Sequence, residues 1–535
     1  MNKILIKFLL IPTLFFSLWV PRLHASASVS NVHLSYLYGA SSSTYLNSID
    51  QSLGTLNTAT PLFYELNADG SLKSLIDKSL IEGLQKRGLQ VVPFISNHFN
   101  RTLGQTAMNN REQLATQLVN SVVKNNLDGI DIDIENLNHT DKNNFTDFIR
   151  LLDEKLPDNK TLSIAVAANP NGWTAGWHGS YDYVKISQYS DYLMLMAYDE
   201  SWPGSAPGPV ASLAFVENSI KYLLNLGVDS KKIVLGLPFY GRIWKDDGEI
   251  KGEGVPNKNV PSIVNNHNGK FYFDHTSKSA YAKFTVKSSD SPTYINGKKL
   301  TPGNYTVWYE NDLSLKYKLR FVQKYNLRGT GSWSLTQTDS SIWDFYSAWA
   351  NGEHHFIDSE NHWAEKDILS LYKKGWINGK TEYTFDPNSD LTRAQAVSIL
   401  VNAIGIDDND ESIPNHFTDV PSNHWAKRAI ELAYKYNLVN GTKPNVFEPN
   451  AKITRAQLSA ILARILDYPL DDSMQSPFYD VSTDHWAYEY ILKLSSKGII
   501  KGREDGGFYP NEFISRAQMA AMVNRASADL EKYEK

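Results

Sequence analysis

Eight short runs of apolar, β-branched residues, each followed by a longer stretch of helical period, restrict what residues 28–350 can fold into. The runs are Val32 to Tyr38, Pro61 to Leu66, Gln90 to Ser96, Gly129 to Glu135, Leu162 to Ala168, Tyr192 to Tyr198, Ile233 to Phe239 and Gly329 to Leu335. Amphipathic stretches such as Arg111 to Asn125, Lys142 to Leu156, Phe215 to Leu226 and Leu313 to Tyr325 lie between them. Short buried runs alternating with helices mark repeated βα units around a parallel sheet. Eight units predict an α/β fold, a (β/α)8 TIM barrel, whose active site forms at the C-terminal ends of the strands.

The seventh and eighth runs are separated by 89 residues, far more than one crossover needs. The stretch from Ile243 to Tyr309 is rich in Gly, Asn, Ser, Lys and Tyr and holds the turn dipeptides Asn296-Gly297 and Pro302-Gly303. It predicts a small insertion after strand seven, on the strand-end face. An active-site wall and a passive surface elaboration both remain open for it.

Beyond the barrel the chain repeats itself. Phe356 to Ala364, Phe417 to Ala426 and Phe478 to Ala487 share an F-x-D…H-W-A opening, and each is followed by a helix, a Gly-containing turn, and Phe385-Asp-Pro, Phe447-Glu-Pro or Phe508-Tyr-Pro. A second helix then starts at Leu391-Thr-Arg-Ala-Gln, Ile453-Thr-Arg-Ala-Gln or Ile514-Ser-Arg-Ala-Gln. Trp363, Trp425 and Trp486 are spaced by 62 and 61 residues, and Arg393, Arg455 and Arg516 keep the same spacing. Register held over whole units predicts an all-α triple repeat, with units at 354–407, 415–468 and 476–530.

The N-terminus carries Lys3 and Lys7, an apolar run from Phe8 to Val20, then Ala25-Ser26-Ala27. This is the layout of a secretory signal over residues 1–27, and its apolar run is too short to span a bilayer comfortably. No stable membrane anchor is expected after cleavage. Removing those residues takes the formal charge from −5 to −8, which argues against a nucleic-acid partner held by bulk charge. With no cysteine in the chain, disulfides, thiolate catalysis and the common cysteine-containing zinc sites are excluded. Export without cysteine is compatible with a Gram-positive source.

The chemistry concentrates at Asp128-Gly-Ile-Asp131-Ile-Asp133-Ile-Glu135. Residues two apart on a strand share a face, so Asp131, Asp133 and Glu135 line the barrel interior with Glu135 nearest the mouth. Three acids so close in a low-dielectric interior cannot all ionise, so at least one pKa must rise. Glu135 is the group expected to keep its proton near neutrality, as a general acid requires. Thirteen Trp and 29 Tyr add flat faces on which sugars can stack.

D-x-x-D-x-D-x-E on the fourth strand resembles the signature of glycoside hydrolase family 18, the family of chitinases and of related peptidoglycan-cutting enzymes. Met196-Ala-Tyr198-Asp199, Tyr240-Gly-Arg242 and Trp333 fall where that family would put them, and the resemblance covers about residues 30–350. It implies substrate-assisted retention, in which the sugar's own 2-acetamido oxygen attacks the anomeric carbon. Glu135 would protonate the leaving oxygen and later activate water. Asp133 would orient the acetamido group, Asp131 would share a proton beneath it, and Tyr198 would hydrogen-bond the acetamido oxygen. Asp199, Arg242, Tyr240 and Met196 would bind sugar above a Trp333 floor. No cofactor and no metal is implied. Ile134, Asn136 and Leu137 depart from many chitinases, whereas Tyr198 to Ala211 and Val307-Trp-Tyr-Glu310-Asn are more similar to spore-cortex and cell-wall N-acetylglucosaminidases.

The three C-terminal units resemble S-layer homology domains, which implies non-covalent binding of a pyruvylated secondary cell-wall polysaccharide. Arg393, Arg455 and Arg516 are candidates for its acidic ketal, since a guanidinium fork suits a carboxylate. Trp363, Trp425 and Trp486 would contact sugar beside them or pack a core, and core packing is favoured for such regularly spaced Trp. Gln395, Gln457 and Gln518 stand where the family has Glu. The expected protein is a secreted glycosidase retained on the cell wall, cutting β-1,4 bonds of N-acetylglucosamine in peptidoglycan. A chitinase, or a catalytically silent sugar-binding S-layer protein, are the alternatives.

Overall fold

The structure, a computed structural model, describes residues 31–406, 415–470 and 475–533. The expected export signal lies outside the described residues. All eight predicted runs are strands. We number them β1 (Val32–Leu37), β2 (Thr58–Leu66), β3 (Gln90–Val91 and Phe94–Ser96), β4 (Gly129–Asp133), β5 (Thr161–Ala167), β6 (Tyr192–Met196), β7 (Ile233–Pro238) and β8 (Gly329–Trp333). Each pairs in parallel with the next, and β1 pairs with both β8 and β2, which closes the barrel. Pro93 has no N–H to give and splits β3 in two. At Gly129 an added Cβ would sit 2.2 Å from the Thr161 carbonyl, so glycine lets β4 and β5 approach.

The helices carry the period predicted for them. Arg111–Lys124, Lys142–Lys155 and Leu213–Leu226 bury one stripe each against the outside of the strands. Ser212 caps the last of these, and Gly227, at φ +96°, ends it. The inner faces of the strands enclose a second cluster containing Leu34, Tyr36, Phe94, Met194 and Met196.

The insertion folds as a five-stranded antiparallel sheet with strands Tyr240–Lys245, Lys251–Pro256, Lys270–Asp274, Ser279–Val286 and Gly303–Tyr309, one helix, Val260–Asn266, and its own core. The Asn296-Gly297 dipeptide turns a hairpin between Tyr294–Ile295 and Lys298–Lys299 with both central residues at positive φ, as such turns require.

The C-terminal units close on themselves. The Leu391 N–H donates to the Ile514 carbonyl, Ile514 to Ile453, and Ile453 to Leu391, a buried three-membered ring with one member from each repeat. Around it, Arg393–Ala403 packs on Lys427–Lys435, Arg455–Leu466 on Tyr488–Ser496, and Arg516–Arg525 on Glu365–Lys373. Asp358, Asp419 and Asp480 of the F-x-D openings each accept two backbone N–H groups from the following Phe-x-Pro turn. Gln395, Gln457 and Gln518 accept the cap residue's N–H in capping boxes with Thr392, Thr454 and Ser515. An amide oxygen serves that purpose as well as a carboxylate, so the fold survives the loss of charge.

Candidate active site

Asp131 and Asp133 point inward from β4, and Glu135 follows two residues past the strand end. Asp131 is buried, accepting hydrogen bonds from the Tyr36 hydroxyl at 2.7 Å and the Ser163 hydroxyl at 2.6 Å. Burial raises its pKa to about 6 against the pull of those two donors. Asp133 lies above it. Its Oδ1 is buried without a hydrogen-bond partner among the described residues. Burial, then the charges of Glu135 and Asp131, hold its pKa well above the ordinary carboxylate range. Glu135 is half-buried, and burial followed by the Asp199 charge pushes its pKa up to about 7. All three carboxyls of the row are thus held above the ordinary carboxylate range, with Glu135 raised to about 7.

These groups open on a cavity of about 360 Å³ at the C-terminal mouth of the barrel. Asp133, Glu135, Met196, Tyr198, Asp199, Tyr240, Arg242 and Trp333 all line it, while Asp131 supports from beneath. Burial and the neighbouring acids raise the Tyr198 phenol far above neutrality, so it remains a donor. Asp199 sits at φ +61° and accepts from the Tyr240 hydroxyl at 2.6 Å and from Arg242 Nη2 at 2.6 Å. Arg242 also binds the Gly252 carbonyl and is nearly buried, a fixed cation on one wall. Trp333 rests against Tyr36 and Tyr38, each ring about 5.3 Å away, and presents a partly exposed face. Gly254, Val255, Pro256 and Asn296 of the insertion complete the rim. The insertion thus forms one wall of this cavity.

Several residues at the cavity stand outside the motifs. Asn97 brackets the Glu135 backbone, and Gln337 reaches the cavity with its buried Oε1 unpartnered among the described residues. Tyr36, which supports Asp131, falls inside the first strand run, where nothing in the sequence sets it apart. A second cavity, lined by Phe99, Trp173, Trp177 and Trp202, shares Glu135 with the first. No motif marks these residues, since they converge from different loops.

In the repeats, Trp363, Trp425 and Trp486 are 62%, 65% and 57% exposed. The favoured expectation of core packing is thus corrected: the small Ala364, Ala426 and Ala487 beside them fill the core instead. Arg393, Arg455 and Arg516 are nearly buried. Each gives Nε and Nη2 to two backbone carbonyls of the adjoining repeat and lies over a Phe ring. Two of the three guanidinium nitrogens are thereby committed to joining repeats. Arg455 and Trp363, with Lys501 and Arg503, also line a groove of about 270 Å³.

Raised carboxyls above one another, a hydrogen-bonded cation wall and an aromatic floor at a barrel mouth are the equipment of an enzyme that cleaves glycosidic bonds. Residues 38–338, more than half the chain, match the family described as Glycosyl hydrolases family 18, and the chain belongs to that family. Residues 355–397, 416–459 and 477–520 match the S-layer homology domain, which indicates anchoring at a cell surface. The chain is 26% identical over 273 residues to an uncharacterized glycosylase, YvbX, of Bacillus subtilis (strain 168), a match covering 48% of this chain and 74% of that one. It is 23% identical over 276 residues to the Cortical fragment-lytic enzyme of the same organism, covering 50% of this chain and 61% of that one. A crystal structure of chitinase from Chromobacterium violaceum ATCC 12472 superposes with a TM-score of 0.53 at 23% identity, over 60% of this chain and 99% of that one, a likeness of fold.

Proposed function

We propose that this glycoside hydrolase is exported by residues 1–27, works through a barrel domain of residues 28–350, and is held on the cell wall by its three repeats. It hydrolyses β-1,4 bonds on the reducing side of N-acetylglucosamine in peptidoglycan with retention of configuration. The observation that carries this reading is Asp133, whose buried, unpartnered Oδ1 lies among the groups lining the cavity with Glu135 and Tyr198. An acetamido N–H satisfies that oxygen, and the Tyr198 hydroxyl meets the acetamido oxygen. That oxygen attacks the anomeric carbon as the glycosidic C–O bond breaks, and Glu135 gives its proton to the leaving oxygen. Water then adds to the anomeric carbon, returns a proton to Glu135 and reopens the ring. Asp133 balances the positive charge of the cyclic intermediate.

The Cortical fragment-lytic enzyme among its relatives and the surface-anchoring repeats favour a wall glycan over chitin. In the repeats, exposed Trp363, Trp425 and Trp486 supply stacking faces for a secondary cell-wall polysaccharide, beside Arg393, Arg455 and Arg516. Mass spectrometry of products released from purified peptidoglycan tests the reading. Reducing-end N-acetylglucosamine is expected, and wall material de-N-acetylated at that sugar should resist cleavage. Equal digestion of acetylated and de-N-acetylated walls would exclude substrate assistance, and cleavage confined to chito-oligomers would favour the chitinase reading.

A further inference from the structure

The second cavity beside Glu135 is larger and of different character. It measures about 1190 Å³, beyond the usual range for a site holding one small ligand. Glu135, Met196, Tyr198 and Asp199 belong to both cavities, so the two adjoin at the acid. The smaller cavity holds Asp133, the Trp333 floor and Arg242. The larger therefore lies on the side of the oxygen that Glu135 protonates and takes the leaving group. This step rests on the function proposed above.

Three large aromatic residues in its wall are left in water: Phe99 at 49% exposure, Trp173 at 46% and Trp202 at 57%. Exposed rings gathered on one concave wall, rather than scattered singly, mark a candidate ligand surface. The presentation is also fixed by the protein. His98 and Phe99 both hold positive φ, at 50° and 61°, a conformation bulky residues rarely adopt. The Phe99 carbonyl is bound at 2.9 Å by Asn136, the residue after Glu135, and Arg101 grips the same Asn136 through two further bonds. Phe99 then meets the edge of Trp177, with ring centroids 5.1 Å apart. The aromatic wall is thus tied to the backbone of the acid itself.

Its electrostatics are one-sided. The charged side chains in the lining are Glu135, Asp199 and Glu200, and no lysine or arginine is among them. Arg242, outside this lining, is already committed to Asp199, and Glu200 accepts the Ser212 N–H. His178 stands beside Trp173 and Trp177, and burial lowers its pKa, leaving it neutral at pH 7.

We propose that this aromatic annex selects a leaving-group sugar whose acidic ether branch is capped as a neutral amide, and discriminates against the same sugar with a free carboxylate. A free carboxylate there finds no counter-ion among the described residues of the lining, the Glu200 carboxylate nearby and aromatic faces in place of hydrogen-bond donors, all of which oppose its charge. A capped branch keeps the apolar surface and loses the penalty.

The test compares four donors with the full-length protein. They are N-acetylglucosaminyl-β-1,4-N-acetylmuramic acid, the same disaccharide with its lactyl group as the N-methylamide, and the β-fluorides of N-acetylglucosamine and its β-1,4 dimer, which have no leaving sugar. The amide is expected to exceed the free acid at least tenfold in kcat/KM. Thr174→Lys places a cation on an exposed part of the annex lining and should raise the free-acid to amide ratio at least fivefold. Trp173→Ala should lower the amide to fluoride ratio tenfold or more. If a fluoride turns over while both disaccharides are cut alike and Thr174→Lys leaves their ratio unmoved, the annex proposal is overturned and the catalytic reading stands. If the fluorides and both disaccharides are inert, the catalytic reading fails and the proposal falls with it.

Discussion

Asn97 holds Glu135 by its backbone: its Oδ1 accepts the Glu135 N–H at 2.9 Å, and its Nδ2 donates to the Glu135 carbonyl at 2.8 Å. The amide acts as one more rung of the β3–β4 pairing, after Ser96 opposite Asp133, just where β4 has ended. A fully buried side chain thereby fixes the acid whose own chain is no longer in a strand. In Asn97→Ala both Glu135 backbone groups lose their partner, at a cost of about 1–3 kcal/mol for each buried group left unpaired. The expected result is a fall in kcat of roughly 10- to 100-fold, of the size produced when a catalytic group is misplaced, with KM changed much less. Asn97→Asp keeps the acceptor but not the donor and should fall between. Parallel losses in KM and kcat would place Asn97 in substrate binding instead.

The acid itself has a pH signature. Glu135 must carry its proton to protonate the leaving oxygen, and its pKa stands at about 7, so kcat/KM should fall as pH rises through about 7. Glu135→Gln should cost about 10²- to 10⁴-fold in kcat and should flatten that alkaline limb in whatever activity remains. The acidic limb belongs to the Asp133–Glu135 pair jointly and is not assigned to one carboxyl. A parent profile level up to pH 9 would remove Glu135 from the role of acid.

What could be read from the chain and what could not divides by range along the sequence. Alternating acids in β4 and turn residues such as Asn296-Gly297 report local geometry, because side-chain period and φ preference are properties of neighbours. The barrel and the carboxylate row were therefore legible. Asn97 serves Glu135 across 38 residues, and Tyr36 reaches Asp131 across 95. Neither residue type nor spacing announces such pairs, since closure of the barrel creates them. Phe99, Trp173 and Trp202 look like ordinary apolar residues until their exposure is known. The repeat Trp residues misled for the converse reason, because regular spacing is shared by core positions and by positions that face out from each repeat.

Asp131 carries a stability consequence that runs against function. Its folded pKa of about 6, above the ordinary 3.8, means the folded state holds that proton more tightly than the unfolded chain. The stabilisation is complete below about pH 4 and is lost as pH rises through about 6, amounting to about 3 kcal/mol. Asp131→Asn removes the titration while its amide can still meet Tyr36 and Ser163. The melting temperature of the barrel in Asp131→Asn, relative to the parent, should therefore climb between pH 4 and pH 7, by about 5 °C for a domain of this size. Activity should drop at the same time, because Asp133 loses the partner that shares its proton. A difference that stays constant across that range would mean Asp131 is ionised at no cost.

The repeats separate anchoring from architecture in a way that single substitutions can resolve. Trp363, Trp425 and Trp486 are more than half exposed, so replacing all three with Ala removes little buried surface and should leave the melting of the repeats nearly unchanged. Binding to purified wall sacculi should nevertheless fall tenfold or more, because the stacking faces are gone. Arg455 behaves oppositely. Its loss leaves the Phe508 and Lys501 carbonyls without their donor and uncovers the Phe508 ring, costing about 1–3 kcal/mol per buried carbonyl. Arg455→Ala should lower the melting temperature of the repeats. Arg455→Lys should not restore it, since a single ammonium cannot span two carbonyls as a planar fork does. Binding lost in Arg455→Ala can therefore be read as anchoring only at temperatures where the variant remains folded. The Trp variants carry no such confusion, and undiminished wall retention in the triple Ala variant would move the polymer site away from these rings.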